Sequence, residues 1–236
     1  MILEFCGLPG SGKSTLEAEI LPQLERHNFR IVMREELEEE FLRCRILGNS
    51  LPGRFVFYGT ISLSLIASFL RSGRIRDLFV PVRVRTAYWL LKDVRLYAFF
   101  LESDLNSPSS KVVYAASEGI FQHSVNLIAW GGDGFLPLVE QALSALEFDS
   151  VRVVLTELPV SEAERRILSR GIPCTWPKQA QSAASIPATL NRYATALGIV
   201  MPLIERRIGK MIRVDTEKHT GESVQVVMEA LYSGRN

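Results

Sequence analysis

Residues Gly7 to Ser14 read Gly-Leu-Pro-Gly-Ser-Gly-Lys-Ser and fit the pattern GxxxxGK[ST] without a mismatch. Immediately before them, the apolar run 2–6 predicts a buried β-strand. After them, leucine and isoleucine recur at helical spacing from Lys13 to about Arg26. A strand, a glycine-rich loop and a helix in this order are typical of the first unit of a parallel α/β sheet.

The same loop predicts a nucleotide site. Glycines let several backbone N–H groups converge on phosphate oxygens, and the N-terminus of the following helix adds to the attraction. Lys13 supplies a positive charge for the β and γ phosphates, and the Ser14 hydroxyl is placed to bind Mg²⁺. The predicted ligand is therefore ATP with Mg²⁺. The residues predicted to bind it are Gly7, Leu8, Pro9, Gly10, Ser11, Gly12, Lys13, Ser14 and Thr15.

Four more strands are predicted, at 30–33, 111–116, 151–156 and 211–214, with helical segments between them. This alternation predicts an α/β fold in which a parallel five-stranded sheet is covered by helices on both faces. Residues from about 41 to 104 are predicted to form a helical insertion between the second and third strands. Because no linker divides the chain, we expect residues 1–236 to form a single domain.

Composition limits the class of protein. The net charge of +1 argues against a nucleic-acid binder. The three cysteines are far apart and show no zinc-binding spacing, so we expect them to be reduced. Met1 leads directly into the first apolar run without the basic start of a signal peptide. The run 55–70 is too short and too polar to span a membrane, so we expect a buried helix there and a cytoplasmic protein.

Other segments indicate the kind of P-loop protein. No guanine-specific NKxD segment or LSGGQ transporter signature is present. Residues 157–171 read as a turn with a proline, then a helix closing on Arg166, Ile167, Arg170 and Gly171. Together with Glu118-Gly119 after the third strand and with the last strand, this segment resembles P-loop nucleoside and nucleotide kinases, the small-molecule kinases of the P-loop NTPase superfamily. The resemblance implies a lid at about 157–187 and an acceptor pocket built by the insertion.

One position departs from that resemblance. Ser117 follows the third strand, where such kinases often carry an aspartate or an acidic residue followed by arginine. The usual strand that ends in a magnesium-holding aspartate is also missing. How the second protein contact to Mg²⁺ is made is therefore left open.

Four residues are predicted to be catalytic. Phosphoryl transfer needs positioning and charge neutralisation more than covalent chemistry, so Lys13 and the lid arginines Arg166 and Arg170 are the candidates for that role. The resemblance favours a base after the second strand, where Glu35 and Glu36 face opposite ways if the chain is extended; we prefer Glu36. Glu118 is assigned, with Ser14, to Mg²⁺ or its waters.

The insertion concentrates positive charge in an otherwise near-neutral chain. Between Arg71 and Arg95 it carries seven basic residues against two aspartates, amid apolar and aromatic neighbours. Arg83 and Arg85 follow Pro81 at the start of a helix and are the predicted acceptor-binding residues. A solvated basic face remains an alternative, as does contact with anionic lipid. We expect His123 to be structural. We expect Trp130, with Gly131 and Gly132, to form a simple turn, and an acceptor-side loop is the alternative.

These observations predict an ATP-dependent phosphotransferase. Its acceptor is expected to be small and anionic, with a nucleoside, nucleotide or sugar-type hydroxyl or phosphate. The alternative is a nucleotide-binding regulatory or assembly ATPase that acts on a macromolecular partner. The sequence does not decide the oligomeric state.

Overall fold

The computed structural model describes residues 1–45, 66–67, 69, 80–103, 111–174, 176–208, 211–217 and 220–233. The strands are β1 (Ile2–Gly7), β2 (Arg30–Val32), β3 (Val112–Ala116), β4 (Val151–Glu157) and β5 (Ile212–Asp215). The helices are α1 (Lys13–Arg26), α2 (Arg34–Arg45), α3 (Pro81–Glu102), α4 (Ile120–Gly131), α5 (Leu136–Ser144), α6 (Val160–Arg170), α7 (Ile186–Ile208) and α8 (Thr220–Ser233). Short 3₁₀ turns occupy Asp133–Phe135, Lys178–Ala180 and Ala183–Ser185.

All five strands lie parallel in one sheet, in the order β2-β3-β1-β4-β5. The central strand β1 pairs with both β3 and β4, so that Ile2 lies opposite Tyr114 on one side and Val151 on the other. Every residue of β1 is buried, because neighbouring strands and helices enclose it on all sides. The predicted parallel five-stranded α/β fold is confirmed.

Helices cover the sheet on both faces. Leu3 and Phe5 point to the face covered by α1 and α8, where they pack among their apolar side chains. Ile2 and Cys6 point to the opposite face, where the core includes residues of α3, α4, α5, α6 and α7. The carboxyl end of β1 therefore leads into the loop between two packed layers, at the sheet edge where α/β proteins bind ligands.

The region between β2 and β3 is helical where it is described. Helix α2 already begins at Arg34, so Glu35 and Glu36 lie in a first helical turn and not in an extended chain. Of the run 55–70, Ile66, Ala67 and Phe69 are described as helical, and Phe69 is buried against Phe135. Arg71, like the rest of 70–79, lies outside the described residues. Within the described part of the chain, no helix is both long and apolar enough to cross a membrane.

Candidate active site

The loop between β1 and α1 has the curled backbone that its glycines predict. Gly10 and Gly12 adopt positive φ angles of 84° and 88°, a region that favours glycine. The Ser11 hydroxyl lies 2.6 Å from the hydroxyl of Thr156, on the neighbouring strand β4. The loop is also tied to helix α4, because the Gly7 N–H donates to Gln122 Oε1 over 3.0 Å. These contacts fix the loop to strand β4 and to helix α4.

Lys13 is held against this loop. Its ammonium group donates to the carbonyl oxygens of Gly7 and Leu8, each at 3.0 Å. Burial lowers the pKa of Lys13, and the negative charge of Glu118 acts in the opposite direction. Ser14 and Thr15 are exposed at the start of α1. The loop can therefore present a cation, a hydroxyl and the first N–H groups of α1 to one bound phosphate chain.

A cavity of about 490 Å³, here called the main cavity, opens beside the loop. Residues 9–14 form part of its lining, and the rest comes from α3, α4, α7, Arg34, Glu118, and Arg170 with the segment that follows it. Four cations line it, namely Lys13, Arg34, Arg85 and Arg170, whereas Glu118 is the one acidic side chain on its walls in the described part of the chain. This balance of charge favours an anionic ligand.

Four aromatic side chains line the main cavity, namely Trp89, Trp130, Trp176 and Tyr193. Trp130 donates from its indole N–H to the Tyr193 hydroxyl over 3.0 Å, and Trp176 stacks on Tyr193 with 6.3 Å between ring centroids. Trp130 is thus a cavity residue, and the expectation of a simple turn was wrong.

Arg34 connects the main cavity to a buried carboxylate. It lies 2.9 Å from Asp93 Oδ1, donates to the carbonyl of Glu118, and places its guanidinium 5.2 Å from the centre of the Trp89 ring. Burial raises the pKa of Asp93, and the adjacent Arg34 opposes that rise. The pair fixes Arg34 at the cavity wall, because a buried charge is tolerated only with a partner.

His123 also borders the main cavity, and its predicted structural role fits its contacts. Its Nδ1 donates to the Gly119 carbonyl over 2.9 Å, and burial lowers its pKa to about 3. The ring is therefore neutral near pH 7. It occupies the cavity wall without adding charge to it.

Glu4 fixes the start of helix α4 from the central strand. It is fully buried, and its Oε1 accepts the N–H groups of Gly119 and Gln122 at 3.2 Å and 2.8 Å. Tyr97 donates its hydroxyl to Oε2 over 2.6 Å. Burial raises the pKa of Glu4 to about 7, against the opposing effect of these hydrogen bonds. Because Gln122 in turn accepts from the loop, Glu4 helps position the loop itself.

The predicted catalytic residues Lys13, Arg166 and Arg170 do not all line the same cavity. Arg170 lines the main cavity together with Lys13. Arg166 instead lines a smaller pocket of about 210 Å³, here called the side pocket, together with Gly12, Thr15 and Thr216. There Arg166 donates to the Thr216 carbonyl over 2.8 Å. The two arginines share a helix but face two different spaces.

Glu36 lies away from both spaces. Its side chain is exposed and forms an ion pair with Arg30 on the outer strand β2. The expectation that Glu36 points inward depended on an extended chain after β2, and the helical start at Arg34 removes that basis. The structure therefore argues against Glu36 as the base.

The predicted acceptor arginines are also separated. Arg85 lines the main cavity, whereas Arg83 donates its Nε–H to the Trp130 carbonyl over 3.2 Å. Arg83 thus contacts the backbone of Trp130, one of the aromatic residues that line the main cavity. Acceptor binding by Arg85 stays a prediction.

The side chains near the predicted metal position suit a nucleotide-bound Mg²⁺. Ser14 offers a hydroxyl, Glu118 lines the main cavity, and Glu17 accepts a 2.8 Å hydrogen bond from Ser117. No group of three or more His, Cys, Asp or Glu side chains that could hold a metal occurs among the described residues. A nucleotide-bound Mg²⁺ fits such a site, because phosphates and water supply most of its ligands.

Comparisons with known proteins agree with this architecture. No protein-family model matches the sequence, and no curated protein matches it. Among solved structures, the deoxyadenosine kinase from M. mycoides with bound dATP aligns with 98% of this chain and 100% of its own, at 14% identity and a TM-score of 0.52. The chain has the fold of a deoxyadenosine kinase. The same enzyme with bound dCTP aligns over 99% of this chain and 100% of its own, at 15% identity and a TM-score of 0.49. The predicted resemblance to P-loop nucleoside kinases is thus confirmed at the level of the fold.

Several cavity residues were missed from the sequence. Arg34 lies two residues after the end of β2 and precedes the acidic run, so its position at the carboxyl end of a strand could have identified it. Trp89 lies on α3 four residues after Arg85, which puts both side chains on one helix face. Tyr193, by contrast, lies within the long helix α7, and no local pattern distinguishes it from a core residue.

Proposed function

We propose that this protein is an ATP-dependent kinase that transfers the γ-phosphoryl group to a small acceptor with a planar ring, of the nucleoside or nucleotide kind. The observation that carries the proposal is the continuity of the main cavity. The phosphate loop and the aromatic side chains Trp89, Trp130, Trp176 and Tyr193 line the same cavity. A donor phosphate and an aromatic acceptor can therefore occupy one continuous space.

The side pocket supports the nucleotide end of this proposal. It shares Gly12 with the main cavity and is also lined by Thr15, Arg166, Thr216 and Glu217. A triphosphate on the loop can extend its nucleoside into this pocket and its γ-phosphate into the main cavity. Arg166 then contacts the nucleoside end of ATP, and Arg170 contacts the transferred group.

The aromatic wall supports a planar acceptor over a simple sugar. Stacking on an indole or phenol ring favours a flat ring, and such contacts typically contribute about 1–3 kcal/mol for a nucleobase. Gln122 and Asn126 lie one turn apart on α4 at the same cavity, joined by a 2.9 Å hydrogen bond. Their amide groups can pair with the polar edge of the ring. The excess of arginine over acid favours an acceptor that carries negative charge.

The remaining chemistry is positioning and charge neutralisation. Lys13 and Arg170 lie on the loop side of the main cavity, where charge accumulates on the transferred group. Glu118 orients the acceptor hydroxyl, since it is the acidic side chain that lines this cavity in the described part of the chain. Mg²⁺ held at the Ser14 hydroxyl would neutralise part of the charge on the ATP phosphates.

The position of the main cavity beside the phosphate loop favours this proposal over a regulatory ATPase. A switch that acts on a macromolecule needs a changing surface and has no need of a second, ring-lined space next to the phosphates. The main cavity has the size of a small-molecule site.

The test is ATP consumption measured with a panel of nucleosides, nucleotides and sugar phosphates. We expect turnover to depend on an acceptor with a planar ring and to fall in Trp89→Ala and Glu118→Gln. Leu168→Ala is the matched control, because Leu168 is exposed on α6 and lines neither space. Turnover that requires a sugar phosphate, or that proceeds equally well without any acceptor, would contradict the proposal.

A further inference from the structure

Ser117 directly follows β3 and places a hydroxyl at the carboxyl end of a strand next to β1. Its Oγ donates to Glu17 Oε1 over 2.8 Å. Glu17 belongs to α1, the helix that begins at the phosphate loop. A carboxylate from α1 is therefore fixed at the strand end, although the strand itself supplies none at that position.

The Glu17 side chain is buried, and Ser117 hydrogen-bonds only one of its two carboxylate oxygens. Its exposed fraction is 7%, an unusual setting for a carboxylate in the first turns of a surface helix. Among the described residues, Ser117 alone donates a hydrogen bond to it. Glu17 Oε2 accepts no hydrogen bond from a described residue, and it is not among the fully enclosed, unbonded side-chain oxygens of that part of the chain. One oxygen is thus anchored and the other remains available.

Glu17 also lies on the same face of α1 as Ser14. Side chains three residues apart on a helix are neighbours, with about 5–6 Å between their Cβ atoms. Ser14, the loop hydroxyl suited to Mg²⁺, is three residues before Glu17. The exposed Glu19 is five residues after Ser14 and points away from it.

We propose that Glu17, anchored by Ser117, is the second protein group at the nucleotide-bound Mg²⁺ and contacts the ion through its water shell. The inference rests on the proposed function, because it needs ATP with Mg²⁺ at the loop. Glu17, on α1, then takes the role of the acidic residue that similar kinases often carry at the position of Ser117. Glu118 is then free to face the acceptor.

The test measures metal binding directly. Electron paramagnetic resonance of Mn²⁺ gives its affinity for the protein saturated with the β,γ-imido analogue of ATP. We expect Glu17→Gln to weaken Mn²⁺ binding about 10-fold, the effect typical of losing a group that orients a metal site. Binding of the analogue in EDTA is expected to stay unchanged. Glu19→Gln is the matched control on the same helix.

A swap separates a metal role from a packing role. In Glu17→Gln combined with Ser117→Asp, an acid returns to the strand end, and we expect Mn²⁺ affinity to recover. Ser117→Ala alone releases Glu17 and gives an intermediate loss. Circular dichroism melting identifies any variant that fails to fold, in which case the Ser117→Ala result decides.

Two outcomes overturn the inference in distinguishable ways. If the wild type binds Mn²⁺ with the analogue and Glu17→Gln and Ser117→Ala leave that affinity unchanged, Glu17 has no role at the metal while the proposed function stands. If the wild type binds no ATP analogue at all, the proposed function fails and this inference fails with it.

Discussion

Glu4 gives the sharpest prediction, because a carboxyl group inside the central strand links stability to pH. Its pKa is about 7 in the folded protein, compared with an ordinary 4.5. A carboxyl whose pKa is higher in the folded state stabilises the fold below its ordinary pKa. That stabilisation is lost as the pH rises through the folded-state pKa. The wild type is therefore expected to become less stable between about pH 5 and pH 7 and to level off above that.

The size of the effect follows from the two pKa values. The interval between 4.5 and about 7 corresponds to an upper limit of about 3 kcal/mol in the free energy of unfolding. Most of this change falls between pH 5 and pH 8. Glu4→Gln keeps the shape of the neutral acid, so its amide oxygen can accept from Gly119 and Gln122 while its NH₂ donates to Tyr97. Relative to the wild type, the variant is expected to gain about 2–3 kcal/mol over the same interval.

Urea unfolding followed by circular dichroism at several pH values and constant ionic strength measures this. The difference between the two curves is the relevant quantity, because burial also raises the pKa of Asp93 and tilts the wild-type curve in the same direction. Glu19→Gln, an exposed change on α1, is expected to parallel the wild type. Parallel curves for the wild type and Glu4→Gln would refute the argument that burial keeps Glu4 protonated.

Three further predictions concern the proposed kinase. Lys13→Ala is expected to abolish ATP-dependent turnover while the circular dichroism spectrum stays native; unchanged turnover would remove the phosphate-loop assignment. Arg170→Ala is expected to lower kcat, whereas Arg166→Ala raises the Kd for ATP, because the two side chains line different spaces; stopped-flow kinetics separates these effects, and equal losses of affinity would contradict the division. Apparent affinity for the acceptor is expected to fall between about 0.05 M and about 0.5 M salt, most steeply where Arg85 is intact; a salt-independent affinity would exclude an anionic acceptor.

The strands of the sheet could be predicted from the sequence because strands that are buried on both faces appear as uninterrupted apolar runs. Each predicted strand end differs from the structure by at most one residue, as in β3, predicted at 111–116 and found at Val112–Ala116. The phosphate loop was equally clear, since its glycines are required by backbone angles that few other residues adopt.

The catalytic base could not be predicted in the same way. Its prediction required the direction of one side chain after the short strand β2, and that direction depends on where α2 begins. The main cavity was beyond local patterns for a different reason. It joins Arg34, Trp89, Trp130 and Tyr193, which only the packing of α3, α4 and α7 brings together. Charge density in the insertion still identified Arg85 correctly as a residue at this cavity.

The placement of the indole rings has a practical consequence. The chain contains three tryptophans, and Trp89, Trp130 and Trp176 all border the main cavity. The intrinsic fluorescence of the whole protein is therefore a local signal from one site, with no background emission from tryptophans elsewhere. Ligand entry can be followed optically without a label, and replacing each indole in turn by phenylalanine reports which wall of the cavity a given compound touches.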